Sequence, residues 1–432
     1  MSEVYDAVII GAGAGGLCAA ARLTLAGKSV LVVDENDRVG GRATSFEKEG
    51  FILNVGAIAI ERGGVFDETF QLAGVPLDIR EPNPATVFRI DGKTVNVSKG
   101  GWAVLLGGLT KQAAKIGAKF ADARAGELPE ERLSTAEWLS GMTKNKTVHR
   151  LFRNLCAAIF AVNADELPAR AFLVYFGTKG AFKRFGFCPR GTIGLWNDLA
   201  DAVRAQGGDI RLETRVEKIH VEDGEARAVT VRSGDTVERI ESRLVISNAG
   251  PIATIGLTGE DVLGAEYVDH ARRILRPAAN IVIDFASRDR LVDAPGLVTF
   301  GDTERLCNIA EMTATCPEMA PEGWRLYKAY AVPLPALGDF DEDAEVEASL
   351  AELRAEYPAF ADARLLNIKV MRDSWPAQRS CAGYDIDQAT PVANLWNVGD
   401  AVKTYGSGGT EACAETARIV AGEALAWLER AA

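Results

Sequence analysis

The chain has 432 residues, of which 47% are hydrophobic and 25% are charged. This length exceeds what one hydrophobic core usually supports, so the composition predicts a globular protein with two domains. The formal net charge of −12 argues against a nucleic-acid partner, because binding to phosphates needs a concentrated basic face.

Cysteine and histidine usage predicts neither a disulfide framework nor a metal site. The seven cysteines are scattered and contain no CxxC pair, and the three histidines lack metal-ligand spacing. A reducing, cytoplasmic compartment is therefore expected. The first predicted strand begins about three residues after Met1, so no secretion signal is expected, and no apolar run is long enough to predict a membrane span.

The stretch from residue 4 to residue 42 carries the clearest motif. Val4 to Ile10 is an apolar run rich in Val and Ile, which predicts a buried parallel strand. It leads into Gly11-Ala12-Gly13-Ala14-Gly15-Gly16, and an Ala- and Leu-rich helix is predicted from Leu17 to Leu25. In a GxGxxG loop the first glycine permits a tight turn, the second lets the backbone approach a pyrophosphate, and the third lets the helix pack on the strand.

A second strand, predicted from Ser29 to Val33, ends at Asp34. This acid lies eighteen residues beyond Gly16, where its carboxylate can accept hydrogen bonds from both hydroxyls of a ribose. The N-terminal N–H groups of the preceding helix favour the phosphates of the same ligand. Together these parts predict a dinucleotide-binding site, because they occur in the order that such a site needs.

The residues after Asp34 indicate which dinucleotide is bound. Glu35-Asn36-Asp37-Arg38-Val39-Gly40-Gly41-Arg42 resembles the ExxxxxGGR continuation of the flavin-containing amine oxidase and phytoene desaturase superfamily. The resemblance implies FAD, although Asp34 is shorter than the family's usual Glu and many NAD enzymes use Asp. It also implies that Gly56-Ala57 runs past the flavin ring, for which an ordinary glycine turn is the alternative.

Segments in the middle of the chain resemble the same superfamily. A helix is predicted from Leu195 to Ala205, a strand from Asp209 to Val216, and a hairpin around Glu222-Asp223-Gly224. The resemblance implies that the backbone of Val216 holds the adenine. A strand from Arg243 to Ser247 then leaves through the small-residue turn Asn248-Ala249-Gly250-Pro251, which is typical of the group.

The segment from Asn394 to Ala417 completes the resemblance. A strand delivers Gly399-Asp400, and Gly408-Gly409-Thr410 opens a helix of small residues. The family implies that Asp400 bonds to the ribityl or pyrophosphate end of FAD and that the helix N-terminus stabilises negative charge on the reduced flavin. Cys413 lies in the helix body rather than where some amine oxidases attach flavin, so noncovalent FAD is expected.

The predicted substrate domain consists of residues 81–185 and 276–364. The first segment begins with a hairpin around Asp91-Gly92, and the second carries four strands and a helix from Ala344 to Glu356. The predicted fold class is α/β, with this α+β domain interleaved with a Rossmann-like FAD-binding domain of the glutathione-reductase type in three layers. The FAD-binding segments are residues 1–80, 186–275 and 365–432.

Two apolar segments of the substrate domain each allow more than one interpretation. Residues 102–109 form an apolar run followed by lysines, and residues 172–187 mix five Phe and one Tyr with basic residues. Each pattern fits a membrane-surface patch, the lining of an apolar substrate tunnel, or a core face with solvated lysines. Peripheral membrane contact is therefore one alternative, without a transmembrane segment.

The resemblance implies an oxidoreductase that moves hydride from a small, largely apolar substrate onto flavin N5 while a neighbouring atom loses a proton. If that neighbour is carbon, the enzyme is a desaturase of an alicyclic, terpenoid or related compound, which is the expected reaction. If it is nitrogen, the enzyme is an amine oxidase. A redox-neutral isomerase and a non-catalytic prenylated-protein carrier are further alternatives, and the complete dinucleotide motif argues against the carrier.

Four residues are candidate catalytic groups. Tyr405 is expected at the mouth of the cofactor helix, where a phenol stacks on substrate or accepts a proton, and a surface tyrosine is the alternative. Trp375 lies where the family turns from the substrate sheet back toward the cofactor, and Arg379 and Lys403 complete the set. Because no second GxGxxG follows a strand in residues 43–432, oxygen or a quinone is the expected electron acceptor.

Overall fold

The structure, a computed structural model, describes residues 4–56, 58–96, 133–177 and 184–430. Ala57, the apolar run at 102–109 and both lysines within 172–187 lie outside the described residues. The described helices are α1 (Ala14–Leu25), α2 (Val65–Leu72), α3 (Thr135–Ser140), α4 (Lys146–Phe160), α5 (Ala169–Gly177), α6 (Gly191–Ala205), α7 (Pro251–Thr258), α8 (Glu260–Leu263), α9 (Ala265–Ile274), α10 (Glu342–Glu356) and α11 (Gly409–Arg430). In the same ranges, no helix is both long and apolar enough to cross a bilayer.

The described strands form two large sheets and two short two-stranded sheets. In chain order they are β1 (Tyr5–Ile10), β2 (Val30–Val33), β3 (Ser45–Lys48), β4 (Phe51–Asn54), β5 (Ile60–Glu61), β6 (Thr86–Ile90), β7 (Lys93–Val95), β8 (Phe185–Gly186), β9 (Asp209–Arg211), β10 (Arg215–Glu222), β11 (Glu225–Ser233), β12 (Thr236–Ser247), β13 (Asn280–Ser287), β14 (Leu297–Phe300), β15 (Leu306–Glu311), β16 (Arg325–Ala331), β17 (Arg364–Met371) and β18 (Leu395–Asn397).

The first sheet has a parallel centre that carries the nucleotide motifs. Its order is β10-β11-β12-β1-β2-β9, and β18 also pairs with β12. The pairs that join β12, β1, β2, β9 and β18 are parallel, whereas β10 and β11 form antiparallel hairpins. Because the carboxyl ends of parallel strands meet at one edge, the residues that follow β1, β2, β12 and β18 converge there.

The first sheet is covered on both faces, which gives three layers. On one face α1 packs against α11 and α6, in a core that contains Leu17, Trp196 and Val420. On the other face the β10–β11 hairpin and α7 enclose a second core around Val216 and Val245. This architecture is the predicted fold class.

The second sheet has the order β17-β13-β16-β15-β14-β6-β7 and is antiparallel except where β14 pairs with β6. One of its faces packs against α10 in a core that contains Phe285 and Leu353. The sheet continues past the predicted domain boundary at residue 365, because β17 pairs with β13 along Arg364 to Met371. The chain leaves the second sheet only after Met371.

Two predicted elements differ from the observed ones because of tertiary contacts. The helix predicted from Leu195 begins at Gly191, since side chains from β3 and β4 supply its cap: Asn54 accepts a hydrogen bond from Thr192 N at 3.2 Å, and Ser45 accepts one from Ile193 N at 3.1 Å. The strand predicted over 209–216 is split, because the chain turns at Glu213, where φ is +49°. Neither the cap nor the turn can be predicted from the sequence of the segment itself.

Asn394 provides a test of how the hairpins are attached to the parallel strands. Its buried carboxamide accepts a hydrogen bond from Ala226 N at 2.7 Å and donates to the carbonyl oxygens of Ala226 and Arg243 at 2.8 and 2.7 Å. Asn394→Ala leaves these buried backbone groups without partners, so we expect the free energy of unfolding to fall by about 3 kcal/mol. Denaturant unfolding followed by circular dichroism measures the loss. The exposed Lys218→Ala is the control, and an equal loss in both variants would contradict the assignment.

Candidate functional site

A cavity of about 800 Å³ runs from the carboxyl edge of the first sheet to the second sheet. Gly13 and Asp34 line its nucleotide end, and Asn280, Asn308 and Tyr330 line the opposite end. The crevice outside the carboxyl ends of parallel strands is where α/β folds bind their ligands. The cavity is therefore the candidate site.

The glycine loop after β1 forms a cradle without side chains. The chain turns at Gly11, where φ is +96°, and Gly11 N donates a hydrogen bond to Val33 O at 2.7 Å. A Cβ at Gly13 would lie 2.6 Å from Asn248 Oδ1, and a Cβ at Gly16 would overlap the carbonyl oxygen of Gly11. Since α1 begins at Ala14, its first N–H groups face this open space and suit an anion.

Asp34 braces the glycine loop from the end of β2. One carboxylate oxygen accepts a hydrogen bond from Ala12 N at 2.7 Å, and the other accepts from the backbone and side-chain nitrogens of Asn36 at 2.8 and 2.7 Å. An ionised carboxylate offers about four acceptor sites, so Asp34 keeps capacity for a ribose hydroxyl. Glu35 lies exposed at the same part of the wall.

Arg42 and Asp400 form a bidentate ion pair in the cavity wall. The two N···O distances are 2.9 and 2.6 Å, and Arg42 also donates to the carbonyl oxygens of Pro376 and Ala377 at 3.2 Å. Asp400 accepts a further hydrogen bond from Arg379 N at 3.0 Å. Burial opposes ionisation of Asp400, but the charge and hydrogen bonds of Arg42 outweigh it, so the pKa of Asp400 lies well below its usual range.

Arg379 brings a second cation to the cavity. Its side chain crosses Gly250, where a Cβ would lie 2.6 Å from Arg379 Cδ. Burial, together with the like charge of Arg42, lowers the pKa of Arg379 to about 10, so the guanidinium remains charged at neutral pH. A half-buried guanidinium in the cavity wall suits a phosphate, for which arginine provides matching hydrogen-bond geometry.

Most of the predicted cofactor residues line the cavity. They are Gly11, Gly13, Gly15, Asp34, Glu35, Gly40, Gly41, Arg42, Gly56, Val216, Asn248, Asp400, Gly408, Gly409 and Thr410. Gly16 and Gly399 lie behind this wall, where Gly399 N donates to Thr416 Oγ1 at 2.9 Å. Ala57 is outside the described residues, and contact of each residue with a cofactor stays a prediction.

The four candidate catalytic residues separate into two groups. Trp375 and Arg379 line the cavity, whereas Tyr405 and Lys403 lie outside its wall as far as the described residues define it. Tyr405 packs among the helices of the substrate region, with the Arg170 guanidinium 5.5 Å from its ring centroid. The predicted role of Tyr405 at the substrate stays a prediction.

Lys403 is fully buried and holds two loops together. Its ammonium is paired with Asp385 and donates to the carbonyl oxygens of Ser380 and Asp400 at 2.8 and 2.6 Å. Burial raises the pKa of Asp385 although Lys403 lies against it. Lys403 therefore affects the site indirectly, because it holds the backbone carbonyl of Asp400 in place.

The second sheet contributes residues to the cavity wall that no sequence motif predicts. Asn280 and Asn308 are only 4% and 2% exposed, and both line the cavity together with Tyr330 and Gln378. A polar residue inside an otherwise apolar strand was an available signal, because buried polar groups are informative. Which face each asparagine occupies depends on strand pairing.

The depressed pKa of Asp400 leads to a prediction about pH. A group whose folded pKa lies below its unfolded value stabilises the protein above the unfolded pKa, here near 3.8, and loses that contribution as the pH falls through the folded value. Asp400→Asn should lower the free energy of unfolding by about 3 kcal/mol, as expected for breaking a buried pair. Urea titrations should give the same gap to wild type at pH 7 and pH 5 and a smaller one below pH 4. A difference in the free energy of unfolding that already shrinks between pH 7 and pH 5 would contradict the assignment. Asp37→Asn, which removes an exposed ion pair with Arg38, is the control.

Comparison with known proteins gives a consistent result. The chain matches the flavin containing amine oxidoreductase family over residues 14–425. The 15-cis-phytoene desaturase of Synechococcus elongatus is 24% identical over 435 residues, which cover 91% of this chain and 90% of that protein.

Solved structures share the fold over nearly the whole chain. An oxidoreductase from Methanosarcina mazei has a TM-score of 0.82 and 26% identity, covering 96% of this chain and 99% of that one. Cyclohexylamine oxidase from Brevibacterium oxydans has a TM-score of 0.67 and 17% identity, covering 98% of this chain and 99% of that one. The resemblance found in the sequence is confirmed. The chain belongs to the flavin containing amine oxidoreductase family and is a flavin-dependent oxidoreductase.

Proposed function

We propose that the protein binds FAD noncovalently and desaturates a small, largely apolar alicyclic or terpenoid-type substrate. FAD, when bound, supplies N5 as the hydride acceptor. The observation that carries the proposal is the continuity of the cavity. The glycine cradle, the Arg42–Asp400 pair and the polar wall of the second sheet line one space.

The nucleotide end of the cavity has the features that FAD requires. Gly11 and Gly13 provide a backbone surface that a pyrophosphate can approach, and Arg379 supplies a positive charge beside it. At the other side of the cavity, α11 begins at Gly409 and directs its N-terminal N–H groups toward the space. These groups would stabilise negative charge on a reduced flavin ring.

Cys413 supports noncovalent binding. Its side chain lines the cavity, so the thiol is within reach of a bound ligand. Burial, together with the negative charge of Asp400, raises the pKa of the Cys413 thiol to about 12. The thiolate that a covalent link would need is therefore scarce at neutral pH.

The size of the cavity favours a small substrate. A volume of about 800 Å³ must accommodate both the dinucleotide and the substrate. Pockets of roughly 300–1,000 Å³ typically hold one drug-sized ligand. A C40 carotenoid beside the cofactor would exceed this space, so a molecule of one or a few rings fits better.

An amine oxidase is the second candidate. Trp375 and Tyr330 both line the cavity, and aromatic faces can hold an amine. However, Lys369 Nζ already lies 5.4 Å from the centroid of the Trp375 ring, and this cation would repel a substrate ammonium. We therefore place desaturation first. A redox-neutral isomerase would use the same residues, and the intact nucleotide site disfavours a non-catalytic carrier.

The predicted catalytic residues take different roles in this proposal. Trp375 shapes the substrate end of the cavity, and Arg379 contacts the cofactor phosphates. Lys403 is a positioning residue, because it binds the carbonyl oxygen of Asp400. Tyr405 is assigned the same role, since it lies outside the cavity wall that the described residues form. Oxygen or a quinone is the proposed electron acceptor.

Substrate oxidation is tested by anaerobic mixing of the purified yellow protein with an alicyclic ketone, a carboxylic acid, a terpenoid and an amine. Bleaching of the flavin by the ketone or terpenoid supports desaturation, and bleaching by the amine alone favours the oxidase. NADH or NADPH without substrate should leave the flavin oxidised. Rapid reduction by either nucleotide would contradict the proposed acceptor.

The glycine cradle is tested by Gly13→Val. Its Cβ would meet Asn248 Oδ1 and fill the space that a pyrophosphate needs, so we expect the purified variant to lack FAD. Absorbance near 450 nm after heat release measures the FAD content. Gly422→Ala in α11 is the control, because a Cβ there has no neighbour within 4 Å among the described residues. Stoichiometric FAD in Gly13→Val would show that the loop is only a turn.

The role of Arg379 is tested by Arg379→Gln. Loss of a charged hydrogen bond to phosphate should weaken FAD binding by about 10- to 100-fold, measured by titration of apoprotein with FAD. The rate of flavin reduction at saturating FAD should change little. A slower reduction with unchanged FAD affinity would instead make Arg379 a catalytic residue. Arg38→Gln, at an exposed pair with Asp37, serves as the control.

A further inference from the structure

Three hydrogen-bonding side chains cross the second sheet and face the cavity. Asn280 on β13, Tyr330 on β16 and Asn308 on β15 come from neighbouring strands, and we call them the polar row. Asn308 pairs directly with Tyr330, and Tyr330 pairs with Val282, which places Asn280 on the adjacent diagonal. Strands are spaced by about 4.8 Å and rise about 3.3 Å per residue, so the two asparagines lie roughly 12 Å apart.

The carboxamide oxygens of the polar row have no hydrogen-bond partner among the described residues. Asn280 Oδ1 and Asn308 Oδ1 are unpaired, as is Oε1 of Gln378, which joins the row from the loop that pairs with Ala278. All three side chains are buried, with 4%, 2% and 8% exposure. A buried polar atom without a partner costs about 1–3 kcal/mol, so this wall is built for a ligand that supplies the missing bonds.

A hydrocarbon substrate would not require these residues. The opposite face of the same strands is apolar, with Ile281, Ile309 and Ala329 in one core. Leu297 and Met371, at the two ends of the polar row, are also apolar. Burying unpaired amides against a hydrocarbon would be unfavourable, so the row selects for polar groups on the substrate.

The carboxylates near the polar row already have partners, whereas the ammonium of Lys369 lies against the Trp375 ring. Asp284 and Lys328 lie on the same sheet, 2.6 Å apart and fully buried, so they neutralise each other. Glu61 accepts a hydrogen bond from Tyr175 Oη at 3.1 Å, and Glu411 accepts bonds from the first N–H groups of α2 at 2.6 and 2.9 Å. The described wall therefore offers hydrogen bonds and the positive charge of Lys369 to the substrate end, and its carboxylates are not free to bind an ammonium.

We infer that the substrate is a ring compound that carries no ammonium group and bears at least two hydroxyl or carbonyl groups, bound across the polar row. This inference rests on the proposed function and adds the chemical class of the substrate. Asn280 and Asn308 each recognise one oxygen group, since a carboxamide both accepts from a hydroxyl and donates to a carbonyl. Gln378 and Tyr330 complete the hydrogen bonds.

The first test separates a binding role from a structural role. In the double variant Asn280→Leu/Asn308→Leu, apolar groups of similar shape replace amides whose oxygens have no partner among the described residues. Among these residues only the hydrogen bond between Asn280 and Tyr330 is lost, so the FAD-loaded protein should melt close to wild type. Asn367→Leu on β17 is the matched control. It removes a hydrogen bond of 3.0 Å to Asp284, and its melting temperature should fall. A double variant that melts several degrees below wild type would show that the polar row is structural and overturn the inference.

The second test measures selectivity with four probes on one ring skeleton. Cyclohexane-1,2-diol, 2-hydroxycyclohexanone, methylcyclohexane and cyclohexylamine are titrated against the FAD-loaded protein, and the flavin spectrum reports binding. The two oxygenated probes should bind at least 10-fold more tightly than the others to wild type, and the double variant should lose this preference. Tightest binding of the hydrocarbon or the amine, or an unchanged preference in the double variant, would overturn the inference. Absence of FAD from wild type would instead refute the proposed function.

Discussion

The ion pair between Arg42 and Asp400 joins residues that are 358 positions apart, and the site depends on it. Arg42 follows the first nucleotide segment, and Asp400 follows the last strand of the same sheet. The guanidinium also binds the carbonyl oxygens of residues 376 and 377, so the loop that returns from the second sheet is held at the same point. One buried cation thus fixes three segments around the cavity.

Further hydrogen bonds support both members of the ion pair. Burial alone would disfavour both charges, and a buried pair that lacks further hydrogen bonds gains little. Here Asp400 accepts from Arg42 and from the backbone of Arg379, while Lys403 binds the carbonyl oxygen of Asp400 from behind. The resulting network keeps Asp400 ionised, and the side chain of Arg379 lines the cavity beside it.

The two ends of the cavity have different chemistry because they come from different sheets. The nucleotide end is formed by turns that follow parallel strands, where backbone N–H groups and glycines dominate. The substrate end is the open face of an antiparallel sheet, where side chains alternate between core and cavity. A fold of this kind can keep the cofactor end constant and vary the substrate end by substitutions on one face of the sheet.

The nucleotide end of the site can be predicted from the sequence alone. Gly11, Gly13 and Asp34 act within one continuous segment, where strand, loop and helix follow one another, so their roles can be predicted from local order. The residues at the substrate end cannot be predicted in this way, because Asn280 and Asn308 come together only through the pairing of β13, β16 and β15. The tertiary structure also decided the position of Tyr405, which lies near the cofactor segment in sequence but packs among the helices. Spacing along the chain places a side chain within an element, but only strand register and packing determine the face that it presents.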